Sequence, residues 1–178
     1  MDIVTCRKAT TNDVEGIAHC QIKTWQSAYK GIVDQDYLDQ QAETLEERIA
    51  RWTRRVNRTD RGTFVAIVKD EVVGFSSTGL LRDAQKNLVG DTDKGELYAL
   101  YIDPDFKRQG IGMKLFQSSV LWARNQQMQD FYVWVLKDNH NARSFYETAY
   151  GTTKQDMVSE TEIGDQWLKE IRYHWKIG

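Results

Sequence analysis

Two glycines placed one residue apart form the most distinctive chemical signal in the sequence. Gly110 and Gly112 follow an apolar run and a basic pair in the stretch "LYIDPDFKRQGIGMKLF". Glycine costs stability at a helix start and adds no packing, so we expect something to approach the backbone there. The first N–H groups of a helix lack internal partners, and the positive end of its dipole lies with them, so this position suits a phosphate. A tight strand-to-helix turn with close packing explains a bare Gly-x-Gly equally well.

The common nucleotide-binding motifs fit this stretch less well. Leu115 stands where G-x-G-x-x-G requires its third glycine, and the sequence contains no G-x-x-x-x-G-K-[ST]. The strand before the glycines also comes too late in the chain to open a dinucleotide-binding unit. The pattern therefore favours another kind of phosphate site.

Hydrophobic periodicity predicts the elements that would position these residues. A central strand, 96–102, is apolar on both alternating faces, with Leu97, Ala99 and Tyr101 on one and Tyr98, Leu100 and Ile102 on the other. Such a strand is covered on both sides. The other predicted strands are 3–9, 63–68, 71–81, 131–136, 152–159 and 166–175, and the helices begin near 10, 45, 110 and 139. The order β-α-α-β-β-β-α-β-α-β-β predicts one α/β domain over residues 1–178, a mixed, mostly antiparallel sheet with helices on both faces.

The glycine stretch resembles the acyl-CoA motif of the GNAT superfamily, [QR]-x-x-G-x-[GA]. Lys107 stands where that family prefers Gln or Arg. A second stretch, "NHNARSFYE", resembles the family's N-x-x-A-x-x-x-Y through Asn139, Ala142 and Tyr146. The resemblance is strong from Glu96 to Tyr146, and it implies a sheet that splays apart at the acyl-CoA site.

The resemblance implies acetyl-CoA as co-substrate, with no metal. The backbone N–H groups from Arg108 to Met113 would hold the pyrophosphate, and the pantetheine arm would bond to the backbone of the central strand. The expected coenzyme-binding residues are Leu100, Tyr101, Ile102, Lys107, Arg108, Gln109, Gly110, Ile111, Gly112, Met113 and Asn139.

Two residues are expected to carry the proton transfers. A primary amine with a pKa near ~10 must lose a proton before it attacks a thioester, and the departing thiolate gains one. The resemblance places Glu96 as the base and Tyr146 as the acid. The alternatives are a strand-end glutamate in solvent and a packed helix tyrosine whose hydroxyl bonds a carbonyl.

The first helix ends in an aromatic pair that could line an acceptor pocket. Trp25 and Tyr29 precede the loop "KGIVDQDYLDQ", which in the resembling fold overhangs the acceptor end of the sheet. The aspartates of that loop, Asp34, Asp36 and Asp39, could attract a cationic acceptor. Core aromatics and a helix-capping aspartate explain the same residues as well.

Other reactive residues give weaker signals. His19, His140 and His174 are scattered without metal-type spacing, and Cys20 reads as a buried structural thiol. Six arginines lie in the second helical pattern and just after it. Such arginines usually form a solvated face; the alternative is a docking patch for an acidic partner or for the 3′-phosphate of the coenzyme. The six are Arg48, Arg51, Arg54, Arg55, Arg58 and Arg61.

Composition limits the partners. The chain has 24 basic and 26 acidic residues, which argues against bulk binding to nucleic acid or membrane. The N-terminus lacks a signal-peptide pattern, and no apolar run approaches the ~20 residues of a membrane span, so we expect a cytoplasmic protein. The sequence leaves open whether the protein forms a homodimer.

The sequence therefore predicts an N-acetyltransferase that moves an acetyl group from acetyl-CoA to the primary amine of a small molecule by direct attack. Acetylation of a protein N-terminus or lysine, and a regulatory module that binds acyl-CoA without turnover, are the alternatives.

Overall fold

The computed structural model describes residues 3–149 and 154–178. That part of the chain contains seven strands and five α-helices. The strands are β1 (Thr5–Lys8), β2 (Gly62–Val68), β3 (Glu71–Leu80), β4 (Lys94–Ile102), β5 (Asp130–Leu136), β6 (Lys154–Ile163) and β7 (Gln166–Lys176). The helices are α1 (Val14–Ala28), α2 (Gln35–Ala42), α3 (Leu45–Val56), α4 (Ile111–Asn125) and α5 (His140–Thr148).

The seven strands form one sheet in the order β1-β2-β3-β4-β5-β7-β6. Every neighbouring pair is antiparallel except β4 and β5, which run parallel. This parallel pair is short: Lys94–Leu97 lie opposite Asp130–Val133, and no pairing continues beyond them. Among the described strands, the second half of β4 therefore has a partner on its β3 side only.

A β-bulge in β4 marks the point where the two strands separate. Ala99 lies opposite Ser77, but the next pair joins Leu97 to Thr78, so Tyr98 is an extra residue. The strand alternation predicted from the sequence is wrong here, because the bulge shifts it by one position. Leu97 packs with Leu100 against the α4 side of the sheet, whereas Ala99 and Tyr101 pack on the other side.

Helices cover the two faces of the sheet with separate apolar clusters. On one face Phe116 and Val120 of α4 pack with Tyr146 of α5 and with Trp175. On the other face the core includes Ile17 and Ala18 of α1, Trp52 of α3, and Val65 and Phe75 of the sheet. We call these the α4 face and the α1 face. The predicted fold class, a mixed and mostly antiparallel sheet with helices on both faces, is confirmed.

Two sequence predictions of local structure are wrong or incomplete. The stretch predicted as a loop contains α2, which begins because the Asp34 carboxylate accepts the N–H groups of Asp36 and Tyr37. The strand predicted from residue 152 is described only from Lys154, and it extends to Ile163, while Thr152 lies outside the described residues. None of the described helices is long and apolar enough to cross a membrane.

Candidate active site

The loop before α4 presents a row of unpaired backbone N–H groups. Gly110, with φ +77°, caps the helix, and Arg108 is also left-handed with φ +63°. Alternation of left-handed residues with right-handed ones turns successive N–H groups toward one side, which creates an anion-binding concavity. The amides from Arg108 to Met113 donate to no described residue. The geometry is that of an anion site, the kind of site that the glycine spacing predicts, and the assignment to a pyrophosphate stays a prediction from the resemblance.

The two glycines contribute in different ways. Gly110 needs its left-handed backbone, although a Cβ there would meet no atom within 4 Å. A Cβ on Gly112 would meet the Phe145 ring at 3.4 Å, an ordinary contact. Gly110 is therefore favoured by its backbone conformation, whereas the described residues leave room for a Cβ at Gly112.

A cavity of about 710 Å³ runs from this loop along the unpaired half of β4. The loop residues Lys107, Arg108, Gly110, Ile111, Gly112 and Met113 line one end of it. Leu100, Tyr101 and Ile102 of β4 and Asn139 at the start of α5 line it further along. The Asn139 side chain caps α5, because its Oδ1 accepts the Ala142 N–H at 3.1 Å. Of the residues expected from the sequence to bind the coenzyme, Gln109 is absent from this lining.

Glu96 lies at the base of the separated strands and is 1% exposed, so it is not a strand-end glutamate in solvent. Arg82 holds it: Nη2 donates to Oε1 at 2.5 Å, and Nε and the backbone N–H donate to Oε2 at 3.3 and 2.9 Å. A carboxylate offers about four acceptor sites. Three are occupied, which leaves one for an amine or a water in the cavity.

Tyr146 lines the same cavity from α5 and is 6% exposed. Its hydroxyl makes no hydrogen bond to any described residue. The described residues therefore do not support the alternative in which this hydroxyl is hydrogen-bonded to a carbonyl. Burial, with a smaller effect of the nearby Tyr101, raises the pKa of Tyr146 above its usual value. The phenol therefore stays protonated at neutral pH.

Trp25 and Tyr29 line the cavity on the α1 face, together with Tyr101 of β4. The Trp25 and Tyr29 rings meet edge to face at 5.1 Å, and the hydroxyls of Tyr29 and Tyr101 lie 3.5 Å apart. Burial raises the pKa of both tyrosines. The indole N–H of Trp25 lies close to the Tyr101 hydroxyl and lowers the pKa of Tyr101. The N–H is nevertheless buried without a hydrogen-bond partner among the described residues. It is a buried donor beside the cavity.

The cavity lining includes residues that the sequence analysis did not identify, and four of them are charged or aromatic side chains around β4 and β5. Arg82 and Lys86 come from the loop between β3 and β4, Trp134 from β5 and Glu170 from β7. Arg82 and Lys86 lie in a polar stretch without periodicity, and Glu170 is one charge among several in a strand. Only the tertiary fold brings them to β4, so no local signal could have found them.

Several residues weighed in the sequence lie outside the cavity. The Asp34, Asp36 and Asp39 side chains do not line it, and Asp34 is the helix cap that the sequence offered as the alternative. Cys20 is buried, and burial raises the pKa of its thiol to about 12, which matches the structural interpretation.

The arginine cluster is not a simple solvated face. Arg48 is 3% exposed, lies over the Trp25 ring at 5.6 Å and donates to Gln41 and Thr44. Arg55 lies over the Trp52 ring at 5.1 Å, and burial together with neighbouring arginines lowers its pKa to about 10. These two side chains pack inward from α3, whereas Arg51, Arg54 and Arg58 are exposed.

The sheet separates between its two parallel strands, and a loop whose amides donate to no described residue lies at one end of the gap. The family model described as "Acetyltransferase (GNAT) family" matches residues 21–151. An uncharacterized N-acetyltransferase of Bacillus subtilis, YuaI, is 31% identical, and the match covers 97% of this chain and 93% of that protein. The chain belongs to the GNAT family of acetyltransferases, and it is an N-acetyltransferase that depends on acetyl-CoA.

Two more distant proteins are similar over nearly the full length. The spermidine N(1)-acetyltransferase of Thermoplasma acidophilum is 20% identical over 96% of this chain and 98% of that protein. The crystal structure of the PaiA N-acetyltransferase from Thermoplasma acidophilum, solved in complex with coenzyme A, superposes with a TM-score of 0.77. That match is 18% identical and covers 98% of this chain and 99% of that one, so it shows the shared fold.

Proposed function

We propose that the enzyme transfers the acetyl group to the primary amine of a small molecule by direct attack within a ternary complex. The observation that carries this proposal is the course of the cavity. It passes between the separated strands, from the unpaired amides beside α4 to the aromatic pocket of Trp25 and Tyr29 on the α1 face. The thioester would enter from one face of the sheet and the amine from the other.

The size of the cavity supports a small acceptor. About 710 Å³ lies within the range of small-molecule sites, and the pantetheine arm takes a share of it. Trp25, Tyr29 and Tyr101 give the remaining space aromatic walls, which suit an amine in its cationic form on arrival.

Glu96 is the proposed base. Because the bulge at Tyr98 shifts the alternation, Glu96 faces the α1 side, from which the amine would come. Its remaining acceptor site can take the amine proton directly or through a water. Arg82 fixes the carboxylate and thus positions the base.

Tyr146 is the proposed acid, acting from the α4 face. Its protonated hydroxyl has no hydrogen-bond partner among the described residues, so it is available to the departing sulfur. The carbonyl oxygen of the thioester gains charge during attack and needs a fixed donor. The backbone N–H groups around the bulge, which lack a β5 partner, are the proposed donors.

A panel of primary amines tests this function. Thiol release from acetyl-CoA should require one member of the panel, and calorimetry should show that acetyl-CoA binds without any amine. Coenzyme binding without thiol release, with small amines and amine-bearing peptides alike, would contradict the proposal and favour a regulatory module.

A further inference from the structure

An ammonium group of the chain itself occupies the acceptor end of the cavity. Lys86 Nζ lies 2.5 Å from Oε1 of Glu170, a carboxylate that is 5% exposed, and both residues line the cavity. The same Nζ lies 5.0 Å from the centroid of the Trp134 ring. A buried carboxylate beside an aromatic face is the chemistry that binds a primary ammonium, through a charge-assisted hydrogen bond and a cation–π contact.

The lysine reaches this position from a small loop that folds over the cavity. The loop Arg82–Leu88 is closed by a bridge between its two ends and by the hydrogen bond from Lys86 N–H to the Asp83 carbonyl at 3.0 Å. Lys86 has φ +65°, a left-handed conformation that is uncommon for lysine. Among the described residues, the ion pair with Glu170 is the one hydrogen-bonded contact of its side chain, so its loss would free the ammonium end while the loop stays closed.

Glu170 lies on the side of the sheet from which the acceptor would enter. Ile171 and Tyr173, the alternate residues of β7, pack in the α4-face cluster, so Glu170 faces the α1 side like Glu96. Its charge contributes to the raised pKa of Tyr29, which places it near the aromatic pocket. Glu96 pairs with Tyr132 of β5, and Glu170 pairs with Leu136 of the same strand. Tyr132 and Leu136 are four residues apart, so the two carboxylate-bearing positions are separated by about 13 Å in the direction of β5.

We propose that Glu170 and Trp134 form a second ammonium subsite, that Lys86 fills it in the free enzyme, and that acceptors with two amino groups displace Lys86 and bind there. The inference rests on the proposed function, because it assigns the acceptor class of the same cavity. One amine of the acceptor would lie at Glu96 to react, and the other would lie at Glu170 in place of the lysine. Diamines and longer polyamines have this chemistry.

Calorimetry on the coenzyme A-saturated protein tests the subsite without turnover. Hexamethylenediamine and hexylamine form a matched pair that differs in one amino group, and the wild type should bind the diamine more tightly. Glu170→Gln should weaken diamine binding about tenfold or more and leave hexylamine nearly unchanged, because a hydrogen bond to a charged group is lost. Lys86→Met should tighten diamine binding severalfold, because the internal competitor is gone. Lys169→Met, an exposed lysine outside the cavity, is the control and should change neither.

The two variants are expected to change the affinity for the diamine in opposite directions. This distinguishes an ammonium subsite from an ion pair that only fixes the loop. If the ion pair only fixed the loop, Glu170→Gln and Lys86→Met would shift binding in the same direction and would act alike on both amines. That result, or a wild type that binds the diamine no better than hexylamine, would overturn the inference. Absence of thiol release with every amine would instead count against the proposed function, while calorimetry still decides the subsite.

Discussion

Replacing Tyr146 with phenylalanine removes one oxygen atom from the cavity and little else. The ring packs against Phe145 at 5.1 Å, Trp175 at 6.0 Å and Phe116 at 6.2 Å, and phenylalanine preserves all of these contacts. The hydroxyl has no hydrogen bond to lose among the described residues. We therefore expect the free energy of unfolding to change by less than about 1 kcal/mol.

The expected loss of rate follows from the two pKa values involved. General acid catalysis typically contributes about 10²–10⁴-fold. Burial raises the pKa of Tyr146 above its ordinary value, and the pKa of a simple thiol is ~8.5, so full transfer of the proton to the thiolate is uphill. In the proposed mechanism the hydroxyl therefore acts chiefly as a hydrogen-bond donor to the sulfur, and we expect Tyr146→Phe to lower kcat by about 10²-fold. The loss should be smaller near pH ~9, where a thiolate leaves more readily without a proton.

Tyr173→Phe is the matched control, because its ring belongs to the same aromatic cluster, 6.4 Å from Tyr146, but does not line the cavity. Its hydroxyl donates to Glu147 at 2.7 Å and accepts from Arg143 at 3.2 Å. This variant should lose about 1 kcal/mol of stability and keep its kcat. Steady-state thiol release gives kcat, calorimetry gives Kd for acetyl-CoA, and urea unfolding gives the stability. A Tyr146→Phe enzyme with wild-type kcat, or a rate loss shared equally by both variants, would refute the role of the hydroxyl.

The other predictions address the base, the coenzyme, the acceptor and acid stability. Glu96→Gln should lower kcat by about 10²–10⁴-fold with Kd for acetyl-CoA unchanged, and a wild-type rate would show that another group is the base. Gly112→Asp should weaken acetyl-CoA binding at least about tenfold in calorimetry, because it adds a negative charge beside the unpaired amides, and unchanged affinity in the folded variant would remove the pyrophosphate assignment. Trp25→Ala should raise KM for the amine and leave Kd for acetyl-CoA near the wild-type value; a joint change of both constants would favour a purely structural role. The hydrogen bonds from Arg7 lower the pKa of the buried Asp13, so this carboxylate stabilises the fold above its ordinary pKa of about 3.9, and the contribution is lost as the pH falls through the lowered value. Urea unfolding of Asp13→Asn should therefore depend less on pH in the acid range than the wild type does, and identical dependence would contradict this.

The geometry of the proposed coenzyme end could be predicted from the sequence because its determinants are local. A helix start, a left-handed glycine and a run of free amides all lie within Arg108–Met113, so one short motif specifies them. Tyr146 and Asn139 come from a second short motif on one helix. Short-range geometry links these residue types to their proposed roles, and the structure places them along one cavity.

Only Trp25 and Tyr29 of the proposed acceptor end were predicted from the sequence, since the other residues there come from distant parts of the chain. Trp25, Lys86, Trp134 and Glu170 meet only after β5 and β7 pair beside the gap. The helix α2 was missed because its sequence, "QDYLDQQA", has few apolar residues to set a helical period, and the Asp34 cap alone was an ambiguous signal. The pairing of strands that are distant in the sequence, and not local propensity, brings the residues of this half of the cavity together.

One inserted residue in β4 connects the two ends of the site. Without a bulge, strict alternation would put Glu96 on the same face as Leu100, toward α4 and the proposed coenzyme site. The extra residue, Tyr98, moves Glu96 to the face of Tyr101, and it lies where the pairing of β4 with β5 ends. Arg61 and Arg82 lie over the Tyr98 ring at 4.6 and 4.0 Å. Since Arg82 also holds Glu96, the contacts that support the bulge also orient the proposed base, so a change at Tyr98 should disturb both the gap for the thioester and the carboxylate that faces the amine.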